Sequence, residues 1–331
     1  MYNIIRSLLF RFDPELVHAC VLGLIRWAGL FPPTCALLRL AFEVNDPRLE
    51  VEAFGVTFKN PIGLAAGYDK NGVAVRGLSA LGFGHVEVGT LTRHKQIGNP
   101  RPRLYRVPEA HALINQMGFP NAGADGLRIR PGGARIGINI GKSKDTPLES
   151  AADDYCALLR LVYRQADYVA INVSSPNTLN LRRLQARAAI EALLPAVAQV
   201  RNSLSPRVPL LVKVSPDLTE SEVDDVLGAM QMAGIDGIIA ANTSVGREGA
   251  PAQYEATQGG LSGAPLRSRS TEMVRYIARR TAGRLPIIGV GGVASANDAI
   301  EKLDAGASLV QLYTGLVYGG PGLVKRINRR L

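Results

Sequence analysis

The sequence predicts a (β/α)8 barrel of the TIM type with a small N-terminal amphipathic helical extension. Short apolar or β-branched runs, each ending in Gly, Asn, Lys or Thr, alternate with helix-like stretches over most of the 331 residues. Strands that alternate with helices form parallel sheets, and eight such units indicate a closed barrel. The predicted strands are residues 61–66, 85–90, 135–140, 168–173, 209–214, 237–243, 286–291 and 309–314.

The nearest alternative fold is a doubly wound open sheet. That fold would carry a glycine-rich dinucleotide fingerprint directly after its first strand. The corresponding segment here is Gly-Leu-Ala-Ala-Gly-Tyr at residues 63–68, which lacks the required spacing. The closed barrel is therefore the preferred prediction.

Residues 1–45 differ from the rest of the chain and are assigned to a separate helical segment. Apolar residues recur there at spacings of three and four, which predicts two short amphipathic helices divided near Asp13 and Pro14. Apolar bulk collects near the end of the second helix, at Trp27 and Phe31. Two interpretations stay open: a helical pair that packs on the main domain, or a hydrophobic entry port that contacts a membrane surface.

The predicted catalytic barrel domain comprises residues 46–331 and begins with a β-hairpin. Apolar and polar residues alternate over residues 49–59, and Gly55 marks the turn between the two short strands. Barrel folds commonly exceed 200 residues as one domain, so the length of this segment requires no further division.

Composition and charge are typical of a soluble globular protein. The chain is 47% hydrophobic and 20% charged, with a formal net charge of +10. Its basic residues are scattered along the sequence, so the charge does not indicate a nucleic-acid partner. The three cysteines show no Cys-x-x-Cys spacing, which argues against a disulfide framework and against a zinc site.

Polar residues at the strand ends form the predicted site, because the catalytic groups of such barrels cluster there. Amides and hydroxyls dominate this ring, Lys213 ends an otherwise apolar strand, and Asp69 is the one carboxylate. The ring contains no His or Cys, which argues against metal-dependent hydrolysis, glycoside hydrolysis and thiolate chemistry. Side-by-side donors and acceptors suit a planar heterocycle such as a dihydropyrimidine or a flavin. Gly289, Gly291 and Gly292 form the ending of the seventh strand and suit a phosphate cradle.

Seven motifs follow one another in a fixed order along the chain. They are Gly-Leu-Ala-Ala-Gly-Tyr-Asp-Lys (63–70), Gly-Asn-Pro-Arg-Pro-Arg-Leu (98–104), Asn-Gln-Met-Gly-Phe (115–119), Gly-Ile-Asn-Ile-Gly-Lys (137–142), Ile-Asn-Val-Ser-Ser-Pro-Asn-Thr (171–178), Gly-Gly-Leu-Ser-Gly (259–263) and Gly-Val-Gly-Gly (289–292). Together they resemble the dihydroorotate dehydrogenases, specifically the quinone-linked class 2 enzymes. The resemblance implies oxidation of (S)-dihydroorotate to orotate in pyrimidine synthesis, with one FMN per chain as hydride acceptor and a membrane quinone as final electron acceptor.

The resemblance also implies which residues bind each ligand. The expected FMN-binding residues are Ala65, Ala66, Gly67, Tyr68, Asp69, Thr90, Asn139, Asn172, Lys213, Ala241, Gly263, Gly292, Tyr313 and Thr314. The expected substrate-binding residues are Lys70, Asn115, Gln116, Met117, Gly118, Phe119, Asn172, Asn177, Asn242 and Thr243. Ser175 is the expected catalytic base, where the related soluble class carries a cysteine, and the neighbouring Ser174 is the alternative. No metal is expected.

The resemblance gives the N-terminal helices a role as the entry path for ubiquinone or menaquinone. His18, Arg103 and Tyr313 are the expected quinone-side residues. Because a quinone is carried in lipid, peripheral contact with a membrane is expected. The sequence shows no transit peptide, so the cytoplasmic face of a bacterial inner membrane is the expected location.

A lid and a few departures from the family pattern complete the expectations. Residues 176–185 are polar and basic after their start and are expected to close over the site, with Thr178 and Phe119 on a gated water path. Gln116 stands where the family pattern usually has arginine, Ala241 where threonine usually precedes Asn-Thr, and Leu179-Asn180 where the lid often reads Pro-Gly. These departures remove no chemical group that the reaction needs.

Three other functions stay as alternatives. An RNA-modifying flavin barrel such as a dihydrouridine synthase would need a catalytic cysteine among the strand ends. A non-redox phosphate-binding barrel, such as an aldolase or isomerase, would use Lys213 for a Schiff base. A non-enzymatic membrane-surface protein would have no use for the polar ring at the mouth of the barrel.

Overall fold

The computed structural model describes residues 2–331 and contains a closed barrel. Its strands, in chain order, are β1 (Val51–Ala53), β2 (Val56–Phe58), β3 (Ile62–Leu64), β4 (His85–Leu91), β5 (Leu104–Val107), β6 (Ala112–Asn115), β7 (Arg135–Ile140), β8 (Tyr168–Asn172), β9 (Leu210–Val214), β10 (Gly237–Ala240), β11 (Gly260–Gly263), β12 (Ile287–Val290) and β13 (Leu309–Leu312). The barrel pairs β3, β4, β7, β8, β9, β10, β12 and β13 in that order, all parallel. Each barrel strand overlaps one of the eight predicted strands, so the predicted fold class is confirmed.

Helices surround the barrel and precede it. They are α1 (Tyr2–Leu9), α2 (Pro14–Leu30), α3 (Pro32–Phe42), α4 (Val75–Ala80), α5 (Ala151–Val162), α6 (Arg187–Asn202), α7 (Glu220–Ala233), α8 (Arg267–Arg280), α9 (Ala296–Asp304), α10 (Thr314–Gly319) and α11 (Leu323–Asn328). The helices after α3 bury their apolar faces against the outer side of the barrel, where one large hydrophobic core forms.

The alternation of side chains along each strand separates this outer core from the barrel interior. In β9, Leu210, Val212 and Val214 point outward into the core that the helices cover. Leu211 packs inside the barrel near its N-terminal end, which leaves Lys213 facing the interior nearer the mouth. Residues that face inward near the carboxyl ends of the strands can therefore reach one common site.

The hairpin of β1 and β2 closes the N-terminal end of the barrel. Phe54 and Gly55 both have positive φ, at 42° and 76°, as a tight two-residue hairpin turn requires. Phe58 is fully buried, and the ring of Phe54 lies 5.5 Å from that of Tyr168 inside the barrel. The predicted hairpin turning at Gly55 is thus confirmed, and solvent enters the barrel from the opposite end.

A small antiparallel sheet that the sequence analysis did not predict lies over that open end. Its strand order is β11, β6, β5, and Asn115 of β6 pairs with Gly260 of β11. Leu104, Leu113 and Ser262 of this sheet face the cavity at the barrel mouth. The sheet therefore forms a roof that joins distant parts of the chain over the site.

The N-terminal segment contains three helices, so the prediction of two was wrong. The division near Pro14 is confirmed: Asp13 accepts a hydrogen bond from Leu16 N at 2.8 Å and caps α2. The paired prolines at positions 32 and 33 end α2, but they also begin a further helix, α3, because proline is well tolerated in the first turn of a helix.

Part of the N-terminal segment packs firmly on the barrel and part of it is exposed. A Cβ on Gly29 of α2 would lie 2.5 Å from the backbone of Gly77 in α4, so these two helices pack backbone to backbone. The outer faces of the first three helices carry exposed apolar side chains, including Ile4, Leu8, Leu24, Trp27, Leu37 and Leu40. Within residues 2–331 no single helix is long and apolar enough to cross a membrane, although the pair α2 and α3, bent by 109°, passes that test jointly on length and composition.

Candidate active site

A cavity opens at the carboxyl ends of the barrel strands, beneath the small sheet. Most residues expected to bind FMN or substrate lie on its walls. They are Ala65, Ala66, Gly67, Lys70, Thr90, Asn115, Met117, Gly118, Phe119, Asn172, Asn177, Lys213, Ala241, Asn242, Thr243, Gly263, Gly292, Tyr313 and Thr314, together with Ser175.

A hydrogen-bonded set of amides and hydroxyls fixes the polar side chains at the base of the cavity. Asn172 Nδ2 donates to Thr90 Oγ1 at 3.0 Å and to Asn139 Oδ1 at 3.1 Å. Asn242 Nδ2 donates to Ser174 Oγ at 2.8 Å and reaches Asn172 Oδ1 at 3.4 Å. Because each amide is held by its neighbours, the groups that face the cavity are oriented before a ligand binds.

The two adjacent serines after β8 have different surroundings. Ser174 Oγ donates to Asn172 Oδ1 at 2.9 Å, accepts from Asn242, and lies behind the cavity wall. Ser175 is on the wall itself, and its Oγ accepts a hydrogen bond from Asn177 N at 3.3 Å. The hydroxyl proton of Ser175 is thus left for exchange with a ligand, which favours Ser175 over Ser174 as the reactive group.

A buried ion pair lies at the floor of the cavity. Glu87, on β4, is fully buried, and its Oε1 lies 3.2 Å from Lys213 Nζ. Asn139 donates to the same carboxylate at 2.8 Å, Gln311 at 2.7 Å and Tyr168 at 3.1 Å. Burial raises the pKa of Glu87, but the charge of Lys213 and the hydrogen bonds of Gln311 and Asn139 outweigh burial and hold that pKa below its usual value.

Glycines after β12 let the backbone of the cavity wall pack closely against the start of α8. Gly291 and Gly292 have φ of 120° and 75°, a region that side chains disfavour. A Cβ on Gly292 would lie 2.4 Å from Arg267 Cβ, so no other residue fits there. Within residues 2–331, the N–H groups of Gly292 and Val293 have no hydrogen-bond acceptor, and both residues line the cavity. This donor set suits an anionic oxygen cluster such as a phosphate.

Comparison with known proteins agrees with this geometry. The family model for dihydroorotate dehydrogenase matches residues 48–331. The chain belongs to the dihydroorotate dehydrogenase family. It is 51% identical to the dihydroorotate dehydrogenase (quinone) of Gloeobacter violaceus, over 99% of this chain and 92% of that protein. The corresponding Halobacterium salinarum protein is 49% identical, over 100% and 94%. A solved ligand-free DHODH from Eimeria tenella superposes with a TM-score of 0.86 at 37% identity, covering 96% of this chain and 93% of that one.

Four residues that the dehydrogenase family pattern placed at the site lie outside the cavity wall. Asp69 accepts hydrogen bonds from Val73 N and Ala74 N at the start of α4. Asn139 lies one hydrogen bond behind the wall, between Thr90 and Glu87. Tyr68 packs beneath Tyr313, and Gln116 donates to the carbonyl of Pro102. Their predicted contacts with a ligand stay predictions.

The expected quinone-side residues lie between α2 and the cavity. The rings of His18 and Tyr68 are 4.9 Å apart, and those of Tyr68 and Tyr313 are 5.7 Å apart. Burial lowers the pKa of His18 to about 4, so its ring is neutral at pH 7. Arg103 donates to Glu15 at 2.6 Å, which fastens α2 to the roof sheet. In this dehydrogenase family member, ring contacts thus connect His18 of α2 through Tyr68 to Tyr313 on the cavity wall.

Several hydrogen bonds hold the segment expected to act as a lid, residues 176–185, and Arg182 makes three of them. Arg182 Nε donates to the carbonyl of Ser174 at 3.0 Å, and its terminal nitrogens donate to Asp217 at 2.7 Å and to the carbonyl of Thr243 at 2.9 Å. Thr178 is buried, and its hydroxyl has no hydrogen-bond partner within residues 2–331. Thr178 is the third residue after Ser175 in the sequence.

Sequence reasoning missed two polar residues of the site. It counted Asp69 as the one carboxylate among the strand ends, whereas Glu87 is a second carboxylate inside the barrel. It also passed over Gln311, which lines the cavity. A signal for Glu87 was present, because Val-Glu-Val in β4 and Val-Lys-Val in β9 each place one charge in a buried strand. None of the three cysteines of the chain lines the cavity, which removes the support for an RNA-modifying barrel with a catalytic cysteine.

Proposed function

We propose that this protein oxidises (S)-dihydroorotate to orotate in pyrimidine synthesis, with FMN bound in the cavity and a membrane quinone as the final electron acceptor. The observation that carries this proposal is the convergence of Ser175, the asparagine set and Lys213 on one cavity, in a chain of the dihydroorotate dehydrogenase family. The two relatives named above are dihydroorotate dehydrogenases (quinone) and match nearly the whole chain, which supports the same acceptor here.

Several features of the cavity fit FMN. The N–H groups of Gly292 and Val293, which have no acceptor among residues 2–331, suit its phosphate. Gln311, on the cavity wall, has a buried side-chain oxygen with no partner in the same part of the chain, which suits the flavin ring. Lys213, held by Glu87, provides a fixed positive charge at the floor of the cavity. Bound FMN would supply the ring that accepts a hydride from the substrate and that passes the electrons to the quinone. The protein contributes the orientation and the charge that make this transfer favourable.

The remaining wall residues suit the substrate. Asn115, Asn177 and Asn242 offer the donors and acceptors that a dihydropyrimidine ring requires, and Lys70 offers a cation for its carboxylate. Ser175 Oγ removes the proton from C5 of the substrate. A hydroxyl has a high intrinsic pKa, so the proton must pass onward as it leaves. We assign Thr178 to that outward path, since its buried hydroxyl has no partner within residues 2–331.

A turnover assay tests the proposed reaction. Purified protein is expected to be yellow and to convert dihydroorotate to orotate faster with a ubiquinone analogue than with fumarate or NAD. A preference for fumarate or NAD would show that the quinone assignment is wrong. A colourless protein that does not take up FMN would contradict the cofactor assignment.

The pH dependence of substrate binding tests the role of Lys70. Burial is the main cause that lowers the pKa of Lys70, to about 8, and a bound carboxylate would raise it again. We therefore expect the KM for dihydroorotate to rise as pH increases above 8, because binding then requires uptake of a proton. Lys70→Met should raise KM by roughly 10- to 100-fold and remove this pH dependence. Steady-state kinetics from pH 6.5 to 9.5 measure both effects, with the exposed Lys95→Met as control.

We also propose that the first three helices contact the cytoplasmic face of a bacterial inner membrane peripherally, and that the quinone enters between them. Their exposed apolar side chains support this proposal, because contiguous apolar surface is unfavourable in water.

A matched pair of variants tests the membrane contact. Leu24 of α2 is 67% exposed and Met232 of α7 is 68% exposed, but only Leu24 lies on the proposed contact surface. Leu24→Glu should lower the fraction bound to lipid vesicles by about tenfold, since it loses apolar burial and adds a charge at the lipid. Met232→Glu should leave binding unchanged, and both variants should retain turnover with a water-soluble quinone. Equal vesicle binding by the two variants would contradict the proposed surface.

A further inference from the structure

A buried lysine outside the cavity has no carboxylate partner. Lys302, on α9, is fully buried. Its Nζ donates to Thr271 Oγ1 at 2.5 Å, to Ser270 Oγ at 2.6 Å and to the carbonyl of Arg267 at 3.1 Å. These three acceptors are uncharged, and no acidic group within residues 2–331 forms an ion pair with this lysine. The buried charge is thus solvated by hydrogen bonds but is not neutralised.

The position of this charge is unfavourable unless an anion binds nearby. Its three acceptors belong to the first two turns of α8, and the N-terminal end of a helix is the positive end of its dipole. The other charged groups around Lys302 are Arg267 and Arg275 on α8 and Asp298 and Glu301 on α9. Both acidic groups are already paired with Arg267, at 2.7 and 3.5 Å. The region around the start of α8 therefore has an excess of positive potential.

A hydrogen-bond relay connects this lysine to the cavity. Ser270 Oγ accepts from Lys302, so its own proton remains for donation, and two carbonyls lie within reach, that of Gly291 at 3.0 Å and that of Arg267 at 3.1 Å. The relay uses the bond to Gly291. That carbonyl belongs to the same peptide unit as the N–H of Gly292, a residue of the cavity wall whose N–H has no acceptor among residues 2–331. A hydrogen bond to the carbonyl of a peptide polarises its N–H and strengthens it as a donor.

We propose that Lys302 is a positioning residue for the phosphate of the bound flavin, acting through Ser270 to orient and polarise the Gly291–Gly292 peptide. Its charge also adds to the positive potential that the phosphate meets. The proposal rests on the proposed function, since it requires FMN in the cavity. Lys302 is thus assigned to recognition of the phosphate and not of the isoalloxazine ring. An experiment can therefore separate a defect in phosphate recognition from a defect in ring binding.

The test compares FMN with riboflavin, which has the same ring system but no phosphate. Flavin is removed from the full-length protein, and the dissociation constants of both flavins are measured by fluorescence quenching at pH 7. Lys302→Met should weaken FMN binding by roughly 10- to 100-fold and leave riboflavin binding unchanged. Ser270→Ala should weaken FMN selectively in the same way, and this small change serves if Lys302→Met does not fold. Thr271→Val is the matched control, because it removes a partner of Lys302 outside the relay and should keep the FMN-to-riboflavin affinity ratio.

The outcomes separate the possible roles. An equal loss of affinity for both flavins would show that Lys302 is only structural, and unchanged affinity for FMN in both relay variants would also overturn the proposal. If the unmodified protein binds neither flavin, the proposed function fails independently of the relay.

The pH dependence of binding gives a second readout. Burial lowers the pKa of Lys302 to about 7, and a nearby phosphate would raise it. FMN affinity should therefore fall as pH rises from about 7.5 to 9, where the phosphate, with a second pKa near 6, is already dianionic. In Lys302→Met this decline should disappear, and riboflavin affinity should be flat throughout. If the FMN affinity of Lys302→Met falls with rising pH as steeply as that of the unmodified protein, the assignment is wrong.

Discussion

Replacing Ser175 by alanine is expected to leave FMN bound but to slow reduction of the flavin by dihydroorotate by a factor of about 10³ to 10⁴. Ser175 Oγ lies on the cavity wall and accepts one hydrogen bond, from Asn177 N, so the change removes a hydroxyl without unfastening another side chain. Stopped-flow measurement of flavin bleaching under anaerobic conditions reports this half-reaction directly, separate from quinone reduction.

The neighbouring serine provides the control for this variant. Ser174→Ala removes a hydroxyl that bonds Asn172 and Asn242 behind the wall, so it should loosen two amides and reduce the rate by no more than about tenfold. The rate of the unmodified protein should rise with pH, because the base is a hydroxyl, and that rise should be absent in Ser175→Ala. Near-normal flavin reduction in Ser175→Ala would place the base on another residue.

The barrel could be predicted because the pattern of apolar residues within each strand identifies it without reference to distant parts of the chain. In β9 the sequence Leu-Leu-Val-Lys-Val contains both buried faces of a barrel strand and the one polar residue near its mouth. A parallel strand covered on both sides reads as a nearly continuous apolar run, and the pattern repeats eight times. Local sequence therefore carried enough information for the fold class and for the end of the barrel that holds the site.

The elements that were missed depend on distant partners. Strands β6 and β11 are four residues long each, and Asn115 pairs with Gly260, far along the chain. Such short strands carry little periodicity of their own, so only the tertiary pairing defines them. The helix α3 was missed for a different reason: the predicted helical pattern ended near Phe31, although proline can begin a helix and Pro32 and Pro33 stand in the first turn of α3.

The candidate site was predicted largely through the family resemblance, and its limits follow from the same source. A resemblance identifies residues such as Ser175 and Lys70 one by one, but it does not show which groups hold them. Glu87 was missed because it lies in the middle of β4, not at a strand end, and its partner Lys213 is on a strand that does not adjoin β4. Only closure of the barrel brings the two charges together.

Because closure of the barrel buries the pair of Glu87 and Lys213, we expect a large loss of stability when this pair is broken. Glu87→Gln leaves the ammonium of Lys213 buried without a negative charge, and removal of one partner from a buried pair typically costs about 3–5 kcal/mol. We expect a loss of that size in the free energy of unfolding of the flavin-free protein at pH 7, measured by denaturant titration. As a control, Asp224→Asn breaks an exposed pair with Arg280 of 2.8 Å and should have no measurable effect.

The double variant distinguishes a lost charge pair from a lost fit. If the cost of Glu87→Gln arises from the uncompensated charge, then Lys213→Met in the same chain should recover part of it, because no buried charge remains. The loss in free energy of unfolding in the double variant should be smaller than the sum of the losses in the two single variants, by about 1–3 kcal/mol. Strict additivity would instead mean that Glu87 acts mainly through Asn139, Gln311 and Tyr168, which donate to it independently of Lys213. The electrostatic role assigned to Lys213 beneath the flavin would then have to be explained without its buried counter-charge.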